Sequence, residues 1–511
     1  MSSNRFAGDE SMTDKRGLAS RSKRAFLWYY SGAVARIGLS FGTNVVLARL
    51  LGPAPFGQMA FVLIVLGIGN LFANVGVPGA IVQKGTLSES EIRFAFTVQM
   101  LFGCGISCLI WFSAPLIAGL FGQSSLVLLL RVISPLFVLQ IFGTTSTALL
   151  QRAHDARTQQ LVYIASYVFG YLIIGLPMAL HGKGVWSLVA AQLTQVSFNS
   201  VMVYAKVRHS LVPRIARDSS GLLSFGMKML AANLCSWGIL NLDNAVVGRF
   251  AGAFELGLYS RAFALAQTPA EAVSTSLQQV LLPSASQIRH DRNRLANVHA
   301  ALFGLILLSL GPIFSALASV PDVVIRSLYG TKWLGAVSLF QPLALAIPMY
   351  AAMAITGPLL AARGRPGLEL KCQLLSFLIA IPVYYYAVHR SVLTLAWAVL
   401  GIYIIRCLVL TMAVLVESGG SWMGLALVSW PAAVLSAATA SSALFSRQIT
   451  SSLGILPQAF VIAGSVAFTM LCAFVILPKT LLQPAARRVP QVVQLLPKRL
   501  RFVPDASMQS N

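Results

Sequence analysis

Long apolar segments, separated by short polar ones, follow one another along almost the whole chain. A helix needs about 20 apolar residues to cross a bilayer, and about fourteen segments reach that length. They lie near residues 26–48, 58–79, 94–118, 124–150, 158–180, 184–205, 222–248, 257–285, 297–320, 334–360, 369–388, 392–414, 422–445 and 453–477. The pattern predicts an all-α, polytopic integral membrane protein.

The composition agrees with this prediction. Of the 511 residues, 57% are apolar and only 10% are charged, whereas ordinary soluble domains carry about 25% charged residues. A surface this poor in charge suits lipid and excludes a soluble enzyme, a secreted disulfide scaffold and a disordered chain. The net charge of +23 fits nucleic-acid binding, but cytoplasmic loops and anionic lipid headgroups explain it equally well.

The distribution of basic residues decides between these explanations. An even number of helices places both termini on one side, and most Lys and Arg residues fall in the tails and loops of that side, including residues 1–24 and 479–511. The opposite loops hold only Arg49, Lys183, Arg249, Arg326, Lys332, Arg390 and Arg447. Because Lys and Arg concentrate in cytoplasmic loops, we expect both termini to be cytoplasmic and no nucleic acid to bind.

An internal repeat divides the chain. The segment NVVLARLLGPAPFG at residues 44–57 recurs as NAVVGRFAGAFELG at residues 244–257, with matching Asn, Val, Arg and two Gly. Each copy ends the first helix of a six-helix set, and its glycines suit a tight turn. Repeats in one orientation predict two pseudo-symmetric six-helix lobes with a cavity between them. The predicted parts are a tail (1–24), an N-lobe (25–206), a linker (207–221), a C-lobe (222–416), a helix pair (417–478) and a second tail (479–511).

Several ionisable residues lie within the apolar segments, where each costs a few kcal/mol or more and usually faces a wet cavity. They are Arg36, Arg131, Lys228, Asp243, Arg261, Glu271 and Arg406. Snorkelling to the interface or a buried ion pair is the preferred explanation for Arg131, Lys228 and Arg406. Arg36 is too central in its helix for easy snorkelling, and there we favour a cavity.

Polar side chains also form stripes along single helix faces. The longest are Gln267, Glu271, Ser274, Thr275 and Gln278, then Asn233, Trp237, Asn241 and Asn244; shorter ones are Arg36, Ser40, Thr43 and Asn44, then Asn70 and Asn74. Such stripes commonly join helices through hydrogen bonds. Three-turn stripes in corresponding helices favour instead a polar, net-cationic cavity for an anion such as a phosphate or an acidic sugar.

Motifs for cofactor chemistry are missing. The six cysteines and six histidines lack metal-ligand spacing, and no phosphate-binding glycine loop is present. A match to the G-x-S-x-G nucleophile elbow at residues 38–42 lies inside a predicted membrane helix without the preceding strand that the elbow requires. We therefore expect neither a cofactor nor an enzyme.

Short motifs carry a resemblance to a known family. LARLLGPAPFG (47–57), NVGVPGAIVQK (74–84), LLQR (149–152), GKGVWSLVAAQL (182–193) and NLDNAVVGRFAGAFELGLYSRA (241–262) resemble signatures of Wzx-type polysaccharide exporters, within the multidrug/oligosaccharidyl-lipid/polysaccharide (MOP) flippase superfamily. The resemblance covers residues 25–415 and reaches the last helix pair only by hydropathy. It implies a bacterial inner-membrane flippase for an undecaprenyl-diphosphate-linked oligosaccharide, working by alternating access with other polysaccharide assembly proteins such as a polymerase or chain-length regulator.

The candidate site residues combine the stripes with this resemblance, in which Asp243 and Arg249 occupy family-typical positions. The predicted substrate-binding residues are Arg36, Arg49, Arg249, Arg261, Asn241, Asn244, Gln267 and Gln278, and the predicted ion-coupling residues are Asp243 and Glu271. Two alternatives stay open. A lipid II flippase has nearly the same chemistry, and a membrane polysaccharide polymerase or glycosyltransferase acts on related lipid-linked sugars but would need a larger outer loop or acidic pair.

Overall fold

The computed structural model describes residues 32, 35–74, 81, 87–153, 155–213 and 220–476. Within these residues the backbone is predominantly helical and has no strand, so the predicted all-α class is confirmed. The helices are α1 (35–51), α2 (Pro53–Asn74), α3 (Glu89–Leu120), α4 (Leu126–Ile133), α5 (Leu136–Arg152), α6 (Ala156–Leu180, including a π-helical segment at Val168–Gly175), α7 (Val185–Val207), α8 (Ser220–Gln287), α9 (Arg292–Ser319), α10 (Pro321–Leu328), α11 (Gly335–Met353), α12 (Thr356–Ala362), α13 (Pro366–Arg390), α14 (Val392–Ser418), α15 (Trp422–Ile449) and α16 (Ile455–Ile476).

Ten helical segments in the described part of the chain are long and apolar enough to cross a membrane. They include α2, α3, α6, α9 and the last four helices. The predicted segments 222–248 and 257–285 correspond to two helices that meet at the non-helical residue Gly252, and α8 denotes the pair. The tails, 1–24 and 479–511, lie outside the described residues, and the count of fourteen spans stays a prediction.

Side-chain caps explain where several helices begin. Ser88 and Glu91 form a reciprocal capping box at the start of α3, with bonds of 3.3 and 2.9 Å. Asp291, Ser391 and Ser421 each accept the backbone N–H three residues further on. Because the first N–H groups of a helix have no partner within it, these caps specify the helix starts.

The last helix pair is packed onto the rest of its unit through α9. A methyl group on Gly304 would overlap the Val428 side chain, and one on Gly311 would lie 2.9 Å from the hydroxyl of Ser436 in α15. The Thr439 hydroxyl donates a hydrogen bond of 2.9 Å to the carbonyl oxygen of Pro312. Small residues allow membrane helices to approach closely, so α15 is an integral part of the packing.

The chain divides into two compact units, Met1–Gly257 and Leu258–Asn511. The second helix of α8 runs through this division, which falls shortly after Gly252. The predicted lobe limits at residues 206 and 222 stay predictions.

Candidate functional site

The two copies of the internal repeat contact each other within the first unit. A methyl group on Gly57 would overlap the carbonyl oxygen of Ala253, and one on Gly257 would overlap the carbonyl oxygen of Pro53. The two contacts are equivalent under the repeat, since residues 53 and 57 correspond to 253 and 257. Only glycine permits this approach of one backbone to another.

A second pair of repeat glycines has a different role. Gly52 and Gly252 have φ values of 76° and 83°, in the region that residues with a Cβ avoid. Gly52 separates α1 from α2 and Gly252 makes the kink in α8. The turn predicted for the repeat therefore rests on this pair, whereas Gly57 and Gly257 lie inside helices.

Arg36 occupies a half-buried position in α1. Its guanidinium carbon lies 5.0 Å from the ring centroid of Tyr163 in α6, a distance typical of a cation–π interaction. It forms no ion pair with any other described residue. The ring stabilises the cation without a neutralising carboxylate, which leaves positive charge available to an anionic ligand.

The polar stripe in the first part of α8 is bonded along its own helix. Asp243 is 4% exposed and accepts from the Asn244 backbone N–H at 2.8 Å and its side-chain amide at 3.3 Å. The Asn241 amide donates to the Trp237 carbonyl oxygen at 2.9 Å. Among the described residues, the side-chain amides of Asn241 and Asn244 therefore donate hydrogen bonds within α8 and not to another helix. The side chains of Asn74, Lys228 and Asn233 lie outside them.

The second unit brings polar side chains of four helices together. Gln267 of α8 lies close enough to the Tyr350 hydroxyl of α11 to interact with it, and the charges of Glu271 and Arg406 both act on that hydroxyl. Arg406 of α14 donates a hydrogen bond of 2.8 Å to Oε1 of Gln373 in α13. We call these five residues the Tyr350 cluster.

Arg406 shows where the sequence interpretation was wrong. The side chain is 7% exposed and makes no ion pair with any described residue, so it neither snorkels nor pairs with a carboxylate. It lies over the ring of Tyr403, 5.6 Å from the centroid, and Tyr403 packs edge-on against Tyr350 at 6.0 Å. The Tyr403–Arg406 spacing of one helical turn was a signal that could have identified it.

The other predicted substrate-binding residues, Arg49, Arg249, Arg261 and Gln278, lie outside the Tyr350 cluster. Arg249 is exposed beside the ring of Phe250, at 5.6 Å, and Arg49 is exposed at the end of α1. The Gln278 amide donates to the Ala354 carbonyl oxygen at 3.2 Å. Arg261 lies close enough to Tyr329 for its charge to oppose the burial that raises the pKa of that hydroxyl. Of the candidates in the second unit, only Gln267 and Glu271 are in the Tyr350 cluster.

Arg131 lies over an aromatic ring, as Arg36 does. Its guanidinium carbon is 5.8 Å from the ring of Trp111, and it makes no ion pair among the described residues. The buried-ion-pair explanation therefore fails for Arg131 as well.

Comparison with known proteins places this fold. A family model described as "Polysaccharide biosynthesis protein" matches residues 46–338. The teichuronic acid biosynthesis protein TuaB of Bacillus subtilis is 25% identical over 66% of this chain and 71% of its own length. The succinoglycan biosynthesis transport protein ExoT of Rhizobium meliloti is 25% identical over 60% of this chain and 62% of its own length.

Among solved structures, the lipid II flippase MurJ in an inward closed conformation has a similar fold. The match has a TM-score of 0.67 at 15% identity and covers 87% of this chain and 98% of MurJ. At this identity the likeness concerns the fold alone. Together with the family match, it confirms the predicted resemblance to polysaccharide exporters.

Proposed function

The chain belongs to the polysaccharide biosynthesis protein family, and from that premise we propose that it is a flippase for an undecaprenyl-diphosphate-linked oligosaccharide. In this proposal it moves the lipid-linked sugar from the cytoplasmic to the periplasmic leaflet of the bacterial inner membrane, by alternating access of its two predicted lobes. It acts as a transporter and not as an enzyme, with both termini cytoplasmic.

The chemistry of the substrate explains why a protein is needed. An oligosaccharide and its diphosphate carry many groups that would lose water in hydrocarbon, and each unsatisfied polar group costs about 2–7 kcal/mol. Polar side chains inside membrane-spanning helices replace that water, while the polyprenyl tail remains in lipid.

The observation that carries the proposal is Arg36. It is a half-buried cation in an apolar helix, held by the ring of Tyr163 and by no carboxylate among the described residues. A guanidinium offers paired N–H donors that match phosphate oxygens. We assign Arg36 to the diphosphate, with Arg49, Arg249, Arg261, Asn241, Asn244, Gln267 and Gln278 as further substrate contacts.

Ion coupling requires a carboxylate that responds to substrate. Asp243 is buried and receives two hydrogen bonds from Asn244. Glu271 is exposed, and its charge acts on Tyr350 together with that of Arg406. We propose that Glu271 is the better candidate for coupling to protons or sodium ions, and that Asp243 is the alternative.

Deletion of the gene, followed by mass spectrometry of lipid-linked glycans, tests the function. We expect an undecaprenyl-diphosphate oligosaccharide to accumulate on the cytoplasmic leaflet and to disappear when the full chain is restored. Accumulation of lipid II would favour the lipid II flippase alternative. Loss of polymerised glycan without a cytoplasmic intermediate would favour a polymerase.

A further inference from the structure

A polar cavity lies outside the candidate site, where α10, α15 and α16 meet in the second unit. Its volume is about 360 Å³, and its lining includes Asp322, Arg326, Arg447, Gln448 and Gln458. In the predicted orientation these residues lie at the periplasmic surface of the membrane.

Two charged groups of this cavity have unused bonding capacity. Arg447 donates to Oδ2 of Asp322 at 2.9 Å, whereas the enclosed Oδ1 of Asp322 has no hydrogen-bond partner. Arg326 is exposed and makes no ion pair with a described residue. The Asp322 side chain is nevertheless 27% exposed, so a ligand that supplies an anion for Arg326 and a donor for the accessible part of this carboxylate would complement the cavity.

The rim of the cavity is apolar. Leu444 lines it, and the neighbouring Phe445, Ile449 and Leu456 are all exposed large hydrophobic side chains. Exposed apolar side chains at the end of a membrane helix are suited to contact with acyl chains, since burial of apolar surface away from water is favourable. The ligand therefore has a polar head in the cavity and an apolar part in the bilayer.

We propose that this cavity binds the headgroup of a periplasmic-leaflet phospholipid. The phosphate contacts Arg326, because a guanidinium matches phosphate oxygens in geometry and charge. A donor on the same headgroup, the ammonium of phosphatidylethanolamine or a hydroxyl of phosphatidylglycerol, contacts the accessible part of the Asp322 carboxylate, whose side chain is 27% exposed. The site thus recognises a phosphate and a donor on one lipid.

Native mass spectrometry of the delipidated full chain tests the site, with dioleoyl phosphatidylethanolamine and phosphatidylglycerol as probes. Arg326→Gln should weaken binding of both lipids about tenfold, the effect of one charge-assisted hydrogen bond. Arg390→Gln is the matched control, since Arg390 is another outer arginine, bonded to Tyr386 away from the cavity. Equal binding by wild type and Arg326→Gln, each with an unchanged unfolding midpoint without lipid, overturns the proposal.

Asp322→Asn tests the second contact. Removing the carboxylate charge should weaken the ammonium-bearing phosphatidylethanolamine and shift the preference towards phosphatidylglycerol. An unchanged preference shows that Asp322 does not contact the headgroup and overturns the assignment. Binding of undecaprenyl phosphate alone, or displacement of phospholipid by a soluble acidic oligosaccharide, also overturns it. None of these readouts depends on export activity.

Discussion

Arg36 in the first unit and Arg406 in the second are both arginines inside apolar helices, but their surroundings differ. Arg36 is half-buried and rests on one tyrosine ring. Arg406 is buried, stacks on Tyr403 and bonds Gln373, while its charge acts on Tyr350. The donors of Arg36 are therefore suited to a ligand, whereas part of the bonding capacity of Arg406 serves to position its neighbours.

The stripes on the two parts of α8 differ in the same way. Asn241 and Asn244 bond within their own helix, whereas Gln267 reaches the hydroxyl of Tyr350 on α11. A substitution in the second unit should therefore disturb several helices at once.

The largest effect is expected at the glycine contact of the repeat. Gly57→Ala places a methyl group against the carbonyl oxygen of Ala253, and such overpacking costs about 1–3 kcal/mol or more. We expect little folded protein, measured as monodisperse protein after detergent extraction. Gly105→Ala is the control, because a methyl group there meets open space. Normal yield of Gly57→Ala would contradict the close approach.

The next prediction separates Arg36 from Arg406. Arg36→Ala should abolish complementation of a flippase-null strain and leave the amount of protein unchanged. Arg406→Ala should lower both, because Oε1 of Gln373 and the Tyr403 ring lose their partner, at about 1–3 kcal/mol for a buried group left unsatisfied. Quantitative blotting beside the export assay gives the two readouts. Full export by Arg36→Ala would rule out its assignment to the diphosphate.

Glu271→Gln addresses the coupling carboxylate. The substitution keeps the shape of the side chain but removes its charge and its titration, so transport in proteoliposomes should lose its dependence on the ion gradient. Asp243→Asn, in the other unit, should retain that dependence if Glu271 is the coupling group. Unchanged ion dependence in Glu271→Gln would eliminate this residue.

The smallest effect concerns His209, which follows α7. Burial lowers the pKa of its imidazole to about 4. The unfolded chain, with a pKa of about 6.5, binds a proton first as the pH falls. Stability is therefore retained above about pH 6.5 and decreases between pH 6.5 and 4.

Unfolding midpoints at pH 7 and pH 5 measure this effect. In His209→Phe the difference between the two midpoints should be smaller, while aromatic packing against Phe96 and Tyr204 is retained. An unaltered difference in His209→Phe would show that another group titrates.

The sequence by itself determined the helical class, because the length and spacing of apolar segments are local properties. The thickness of the bilayer sets the length that such a segment needs in order to span it as a helix. The sequence also identified the repeat and its glycines. The roles of those glycines depended on the tertiary structure, since Gly52 and Gly252 make turns while Gly57 and Gly257 make backbone contacts.

Only the tertiary structure decided which polar side chains meet. Gln267, Tyr350, Gln373 and Arg406 come from four helices, and their meeting depends on the rotation and depth of each helix, which hydropathy leaves open. The sequence interpretation of Arg406 was wrong for this reason: its neutral partner, Gln373, lies on α13. A local pattern reveals a polar group in an apolar helix, but its partner is set by packing between helices.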